Sequence, residues 1–105
     1  MSLTGNVGRV GLMHENLLPA ALNQRVCCIK PQSNDTTKMY LYYYFQSERF
    51  ISDCIASAKG VAQLNVSTEW LKQYDILLPP AKEQCRIIQT IQSIFSYINT
   101  ITAEL

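Results

Sequence analysis

The sequence predicts an α+β fold: a small mixed sheet with packed helices, followed by a long projecting C-terminal helix. Three observations carry that expectation. Apolar runs bounded by glycine or proline near residues 7–12, 25–30 and 74–78 have strand character. Residues 38–58 settle into helical spacing. An isoleucine ridge begins soon after Pro79 and Pro80 and runs to the last residue. Strands bury every second residue and helices repeat at 3.6, so the two patterns separate the two element types.

Taken in order, "TGNVGRVG" places Gly5, Gly8 and Gly11 in and beside a short apolar run. This reads as a turn leading into a strand, with Val7, Val10 and Leu12 near the sheet. The spacing is neither GxGxxG nor GxxxxGK, which argues for a tight turn over a phosphate cradle. "HENLLPAALNQ" is a loop, and "RVCCIK" is a strand that stops at Pro31, a residue with no N–H to give a ladder. "PQSNDTT" is a turn in which Asp35 or Thr36 can cap the next helix.

"KMYLYYYFQSERFISDCIASAKG" predicts two helical pieces broken near Ser47 and closed at Gly60, where a left-handed residue ends the second. Tyr40, Tyr42, Tyr43 and Tyr44 could suggest an aromatic platform for stacking bases. Consecutive helical positions point around the whole cylinder, however, so core packing with hydroxyls at the rim is the better reading. Ser67 or Thr68 can cap a short helix carrying Trp70 and Leu71, and "YDILL" then reads as a buried strand halted by the two prolines.

In the final segment Ile87, Ile91, Ile94, Ile98, Ile101 and Leu105 follow one another in alternating steps of four and three, the spacing that keeps a seam on one side of a helix. Ile88 and Phe95 widen the stripe on one flank. A helix from Ala81 to Leu105 would be about 37 Å long, more than so small a domain can cover. Part of it is expected to project and pair with another helix. The division expected is therefore residues 1–80 as the globular part and 81–105 as a coiled-coil or spacer helix.

Composition bounds the function. The 105 residues are 48% hydrophobic and 16% charged, enough for one core and too apolar for a disordered tail. No run of about eighteen apolar residues is present to span a bilayer and the N-terminus lacks a secretory pattern, so a soluble cytoplasmic protein with no membrane partner is expected. Cys27, Cys28, Cys54 and Cys85 form no CxxC pair and His14 is the one histidine, which predicts no metal site, no disulfide framework and no cofactor. Cys85, between Lys82 and Arg86 at a helix start, is the one thiol placed for a lowered pKa, but no general base accompanies it and catalysis is not expected. The net charge is +1, so phosphate contact alone cannot hold this chain on nucleic acid. It would need a partner.

The order of "TGNVGRVG", "LNQRV" with "IKP", "YLYYYFQSERF", "GVAQLNVSTEWL" and "ILLPPAKEQCRI" resembles the target recognition domain of the specificity subunit of type I restriction-modification systems. The resemblance covers nearly the whole chain. Its strongest element is "LPPAKEQ", where family members show Leu-Pro-Pro, a short spacer and Glu-Gln before a helix. The resemblance implies that residues 1–80 are part of a target recognition domain and that the ridge helix is the start of a spacer. It also implies binding without chemistry: loops of the domain read one half of a bipartite double-stranded DNA site, while a modification methyltransferase subunit and a restriction subunit do the rest. The spacer helix would pair with a second recognition unit or a second copy of the chain.

Two departures from the family pattern bear on this. The stretch ahead of the glycine turn is short, so the chain is read as beginning partway through the domain, and it carries one unit where a full subunit carries two. A truncated gene, a half-subunit acting as a dimer, or a piece of a larger protein would each produce that. Within the resemblance, the polar candidates for DNA contact are Asn6 and Arg9 in the glycine turn and Lys59, Gln63 and Asn65 around Gly60. Arg9 is suited to a guanine edge, Gln63 or Asn65 to an adenine and Lys59 to a phosphate. Asn65 can equally hold its own loop together, and Asn23 and Gln24 can satisfy backbone near a strand start. The competing reading is an assembly module whose helix mediates oligomerisation and whose globular part no longer reads DNA.

Overall fold

The computed structural model of the chain describes residues 1–32 and 35–104. Among the described residues four α-helices follow one 3-10 turn at Glu15–Leu17: α1 (Asp35–Tyr44), α2 (Glu48–Ser57), α3 (Thr68–Gln73) and α4 (Ala81–Glu104).

The caps fall where serine was available. Ser47 Oγ accepts from the Phe50 amide at 3.3 Å and starts α2. Ser67 Oγ accepts from the Trp70 amide at 2.9 Å and starts α3. Each satisfies one of the amides that a first helical turn leaves without an internal partner. Asp35 is the first residue of α1, and the position before it lies outside the described residues. The end of α2 departs from expectation, because the helix closes at Ala58 in extended conformation and Gly60 lies beyond it in the following loop, at φ +122°.

The predicted mixed sheet is not there. Among the described residues β-pairing is limited to isolated bridges between Ser2 and Val26, Thr4 and Asn65, and Lys59 and Asn65. The strand-like segments do meet: Leu3 N donates to Arg25 O at 2.8 Å, Cys27 N to Met1 O at 2.9 Å, Val66 N to Leu3 O at 2.8 Å and Gly5 N to Leu64 O at 2.9 Å. Each contact lasts for one bridge, because Gly5 and Gly8, at φ 78° and 80°, turn the chain away directly after Thr4. A ladder needs successive pairs in register, and two left-handed glycines four residues into the chain prevent it. Residues 74–78 fail differently. Tyr74 and Ile76 pack on the core while Leu77 is 90% exposed, so burial alternates as in a strand, yet no neighbouring segment bridges to them. The fold of the described residues is therefore helical, with the N-terminal loops stitched across it.

The core draws on both sides of the chain: Leu3 and Val7 from the N-terminal turn, Phe45, Phe50 and Cys54 from the α1–α2 corner, and Val66 from the loop before α3. Phe50 is its centre, with Phe45 at 4.8 Å between ring centroids and Tyr74 edge-on at 5.2 Å. Aromatic pairs at such separations add to the area they bury. The Tyr74 hydroxyl leaves this cluster to donate to Asp53 Oδ2 at 2.6 Å, and that bond holds its phenol well above the ordinary tyrosine range. A tyrosine with a raised folded pKa contributes stability below the unfolded value of about 10 and loses it as pH rises beyond. Tyr74→Phe should therefore flatten the fall in thermal midpoint between about pH 9 and 11; an equally steep fall in the variant would contradict the assignment.

The rings of the four tyrosines fall into two tilted pairs, Tyr40 with Tyr44 at 6.4 Å and Tyr42 with Tyr43 at 5.6 Å. Tyr44 joins the core, Tyr43 lies 6.3 Å from Phe95 of α4, and the Tyr40 hydroxyl donates to Leu77 O. They make no continuous stacking face. Their work is to bind α1 to its neighbours, above all α4, whose Ile88 is buried and whose residues from Gln92 onward are all exposed through Glu104. The radius of gyration, 15.7 Å, exceeds the value of about 13 Å for a compact domain of this length, as a projecting helix requires.

Candidate nucleic-acid interface and helix-pairing surface

Two surfaces emerge. The first gathers the polar candidates. Lys59 N donates to Asn65 O at 2.9 Å and Asn65 N to Lys59 O at 2.8 Å, closing residues 59–65 into a tight loop. The bridge from Thr4 to Asn65 and the Gly5 to Leu64 hydrogen bond set this loop beside the glycine turn. A Cβ on Gly5 would lie 3.8 Å from the Gln63 amide nitrogen, which brings that side chain against the turn. Ser2 holds the turn from within: its Oγ donates to Asn6 O at 2.6 Å and accepts from Arg9 N at 3.0 Å.

Asn6, Arg9, Lys59, Gln63 and Asn65 are all exposed. The structure thus brings the two candidate stretches, Asn6 with Arg9 and Lys59 with Gln63 and Asn65, onto adjoining loops. Their freedom differs. Asn65 is already engaged, Oδ1 accepting from Thr4 Oγ1 at 3.1 Å and Nδ2 donating to Gln63 O at 3.2 Å, so it holds the loop in the way the alternative reading expected. Arg9 and Lys59 make no ion pair among the described residues. Val61 stands at the loop tip, fully exposed. Arg25, exposed and paired through its carbonyl to Leu3, is a cation the sequence reading passed over. It sits in the quoted "LNQRV", at the start of the segment "RVCCIK" read as a strand.

The second surface is the ridge of α4. Ile87 and Ile91 are half-buried against the globular part, while Ile94, Ile98 and Ile101 are 54%, 48% and 44% exposed. Leu105 lies outside the described residues. Phe95 and Tyr97 are exposed as well, and Tyr97 belongs to the surface although its spacing set it off the seam. Between Arg86 and Glu104 the helix carries no charge. The Glu83 and Arg86 pair sits before the ridge; its hydrogen bond lowers the glutamate and raises the arginine. Any helix that covers the ridge is therefore selected by shape and apolar contact rather than by flanking charge.

Burial pushes the Cys27 and Cys54 thiols up, away from the thiolate form that attacks or binds metal. Among the described residues no group of three His, Cys, Asp or Glu side chains could hold a metal ion, and no helix is long and apolar enough to cross a membrane.

A family model described as the type I restriction modification DNA specificity domain matches residues 1–105, the whole chain. The chain belongs to that family. Two curated relatives agree. It is 24% identical over 105 residues to the type I restriction enzyme EcoBI specificity subunit of Escherichia coli, a match spanning 100% of this chain and 22% of that protein. It is 29% identical over 97 residues to the EcoKI specificity subunit of Escherichia coli strain K12, spanning 90% of this chain and 20% of that one. The chain thus spans about a fifth of the length of these relatives. No solved structure matches it.

Proposed function

We propose that this chain is a DNA-reading unit of a type I restriction-modification complex, acting in the cytoplasm by binding alone. The observation that carries the proposal is the family match over the full length; the adjoining loops and the uncovered ridge support it. In this reading the loops at residues 5–9 and 59–65 meet one half of a bipartite double-stranded site. The α4 ridge docks on a second recognition unit or a second copy of the chain, and the assembly holds the modification methyltransferase and restriction subunits in place.

Binding should be specific only in the assembled complex, because a chain of net charge +1 cannot hold a duplex by phosphate contact alone. The test is a competition by the complex with the modification subunit between its selected duplex and a scrambled one, and equal retention would end the proposal. Lys59→Ala should weaken binding about evenly across sequences and lower the salt slope by about one, whereas Arg9→Ala should also relax preference at one base position. A salt slope unchanged by Lys59→Ala would remove that residue from the phosphate contacts.

A second reading is favoured by two observations, the near-neutral charge and the engagement of Asn65 within its own loop. In it the chain is an assembly module that no longer reads DNA. Both readings require the ridge. The double variant Ile98→Asp, Ile101→Asp should shift the chain to monomer by sedimentation while leaving its helical signal intact, since both positions are already half-exposed. An unchanged association state would deny the ridge any pairing role. Association of the parent chain that the double variant loses, with no duplex preference in the assembled complex, would favour the assembly module.

A further inference from the structure

Among the described residues two polar side chains are buried, Thr37 at 8% exposure and Gln84 at 5%, and they meet each other. Thr37 Oγ1 of α1 donates to Gln84 Oε1 of α4 at 3.0 Å. Gln84 Nε2 donates in turn to Pro79 O at 2.8 Å, and its backbone amide to Pro80 O at 3.0 Å. One side chain therefore ties together α1, the diproline junction and the first turn of α4. The remaining contacts across this joint are softer: buried Ile88, the Tyr43 and Phe95 rings 6.3 Å apart, and the Tyr40 hydroxyl on Leu77 O.

We propose that Gln84 is a positioning residue that sets the angle at which α4 leaves the globular part. Apolar surfaces tolerate small rocking and sliding, because they gain similar contact over a range of angles. A buried amide with one set of partners does not, since every departure leaves a desolvated donor or acceptor unpaired. Replacing such a group by an apolar one of equal volume often leaves stability unchanged, so its effect on geometry can be separated from its effect on stability. The angle matters because α4 is a lever. From Gln84 to Glu104 the helix reaches about 30 Å, and a tilt of about 10° at the joint moves its tip about 5 Å, more than the rise of about 3.4 Å per base pair. On the DNA-reading proposal above, which this inference deepens, the Thr37/Gln84 bond would then govern the half-site spacing that the assembly accepts.

The test places non-cysteine spin labels at Ala56 on α2 and Asn99 on α4, both exposed, in the full chain diluted with unlabelled chain. The parent should give one narrow distance distribution. Thr37→Val with Gln84→Met keeps the volume and removes both polar groups; it should stay folded while the distribution widens by about 5 Å, the lever displacement. Thr37→Ser keeps the hydroxyl and should keep the narrow distribution. An unchanged distribution in the folded double variant overturns the proposal. If the double variant does not fold, Thr37→Val alone decides by the same criterion. In the assembled complex, duplexes whose half-site spacing is changed one base pair at a time should show a sharp optimum for the parent. For the double variant the optimum should flatten over about two base pairs with the best affinity kept. Equal weakening at every spacing would mean a structural role only and overturns the proposal. Should the parent complex prefer no duplex at all, DNA reading fails while the distance measurement still judges the joint.

Discussion

Replacing Phe50 by alanine is expected to remove about 3–5 kcal/mol of stability, the range for deleting a buried aromatic ring. A domain of this size has about 5–15 kcal/mol in total, so the variant should be close to unfolding at room temperature. The reason lies in its position. Phe50 is fully buried and its ring lies among rings from three segments: Phe45 at 4.8 Å just after α1, Trp70 at 6.2 Å on α3 and Tyr74 at 5.2 Å beyond it. Few other side chains could close the hole, because the walls are aromatic rings already fixed by one another and by the Tyr74 bond to Asp53. Phe50→Leu, which keeps most of the volume, should cost less, about 1–1.5 kcal/mol. Urea titrations followed by far-ultraviolet circular dichroism would measure both. An alanine variant within about 1 kcal/mol of the parent would show that this ring is not the keystone of the core.

The second large effect is expected at Gly60. A Cβ there would stand 2.1 Å from the Gln63 carbonyl oxygen, and the residue sits at φ +122°, where side chains are strained. The obstacle is backbone and cannot swing aside. Gly60→Ala must therefore open the loop that the Lys59 and Asn65 amides close, at a cost of about 2–3 kcal/mol for the strained conformation. Because the loop carries Lys59, Gln63 and Asn65, duplex binding by the assembled complex should fall about tenfold or more, as for the loss of a base or phosphate contact worth about 1–3 kcal/mol. Gly11→Ala is the control: nothing lies within 4 Å of its Cβ, and it should leave stability and binding unaltered. Normal binding by a folded Gly60→Ala complex would take this loop out of the interface.

What could be read from the sequence was local. Ser67, one of the two residues expected to cap the helix carrying Trp70, does so because a cap involves only the next three residues, and Ser47, read as a break between helices, caps α2 in the same way. The diproline marks the start of α4 for the same reason, since proline denies its N–H to any helix behind it. The isoleucine ridge was legible because a period of 3.5 needs one helix alone to align it. The DNA-reading candidates came in part from the chain's likeness to a family, and the structure adds that the glycine turn and the loop at residues 59–65 are neighbours.

Strand against coil was decided elsewhere. Residues 25–30 and 74–78 have the composition and alternation of strands, but a strand exists only if another chain segment offers amides in register along it. Gly5 and Gly8 turn the N-terminal segment away after one bridge, and among the described residues no segment bridges to residues 74–78. The Thr37/Gln84 bond spans 47 residues and could not have been seen in either stretch by itself. Sequence by itself determined the cap of α3, the start of α4 behind the prolines and the apolar ridge, because these arise from interactions within about one helical turn. Only the tertiary structure decided which amides found partners, which rings met and at what angle α4 leaves the core, because hydrogen bonds and packing across the fold depend on what folding brings alongside.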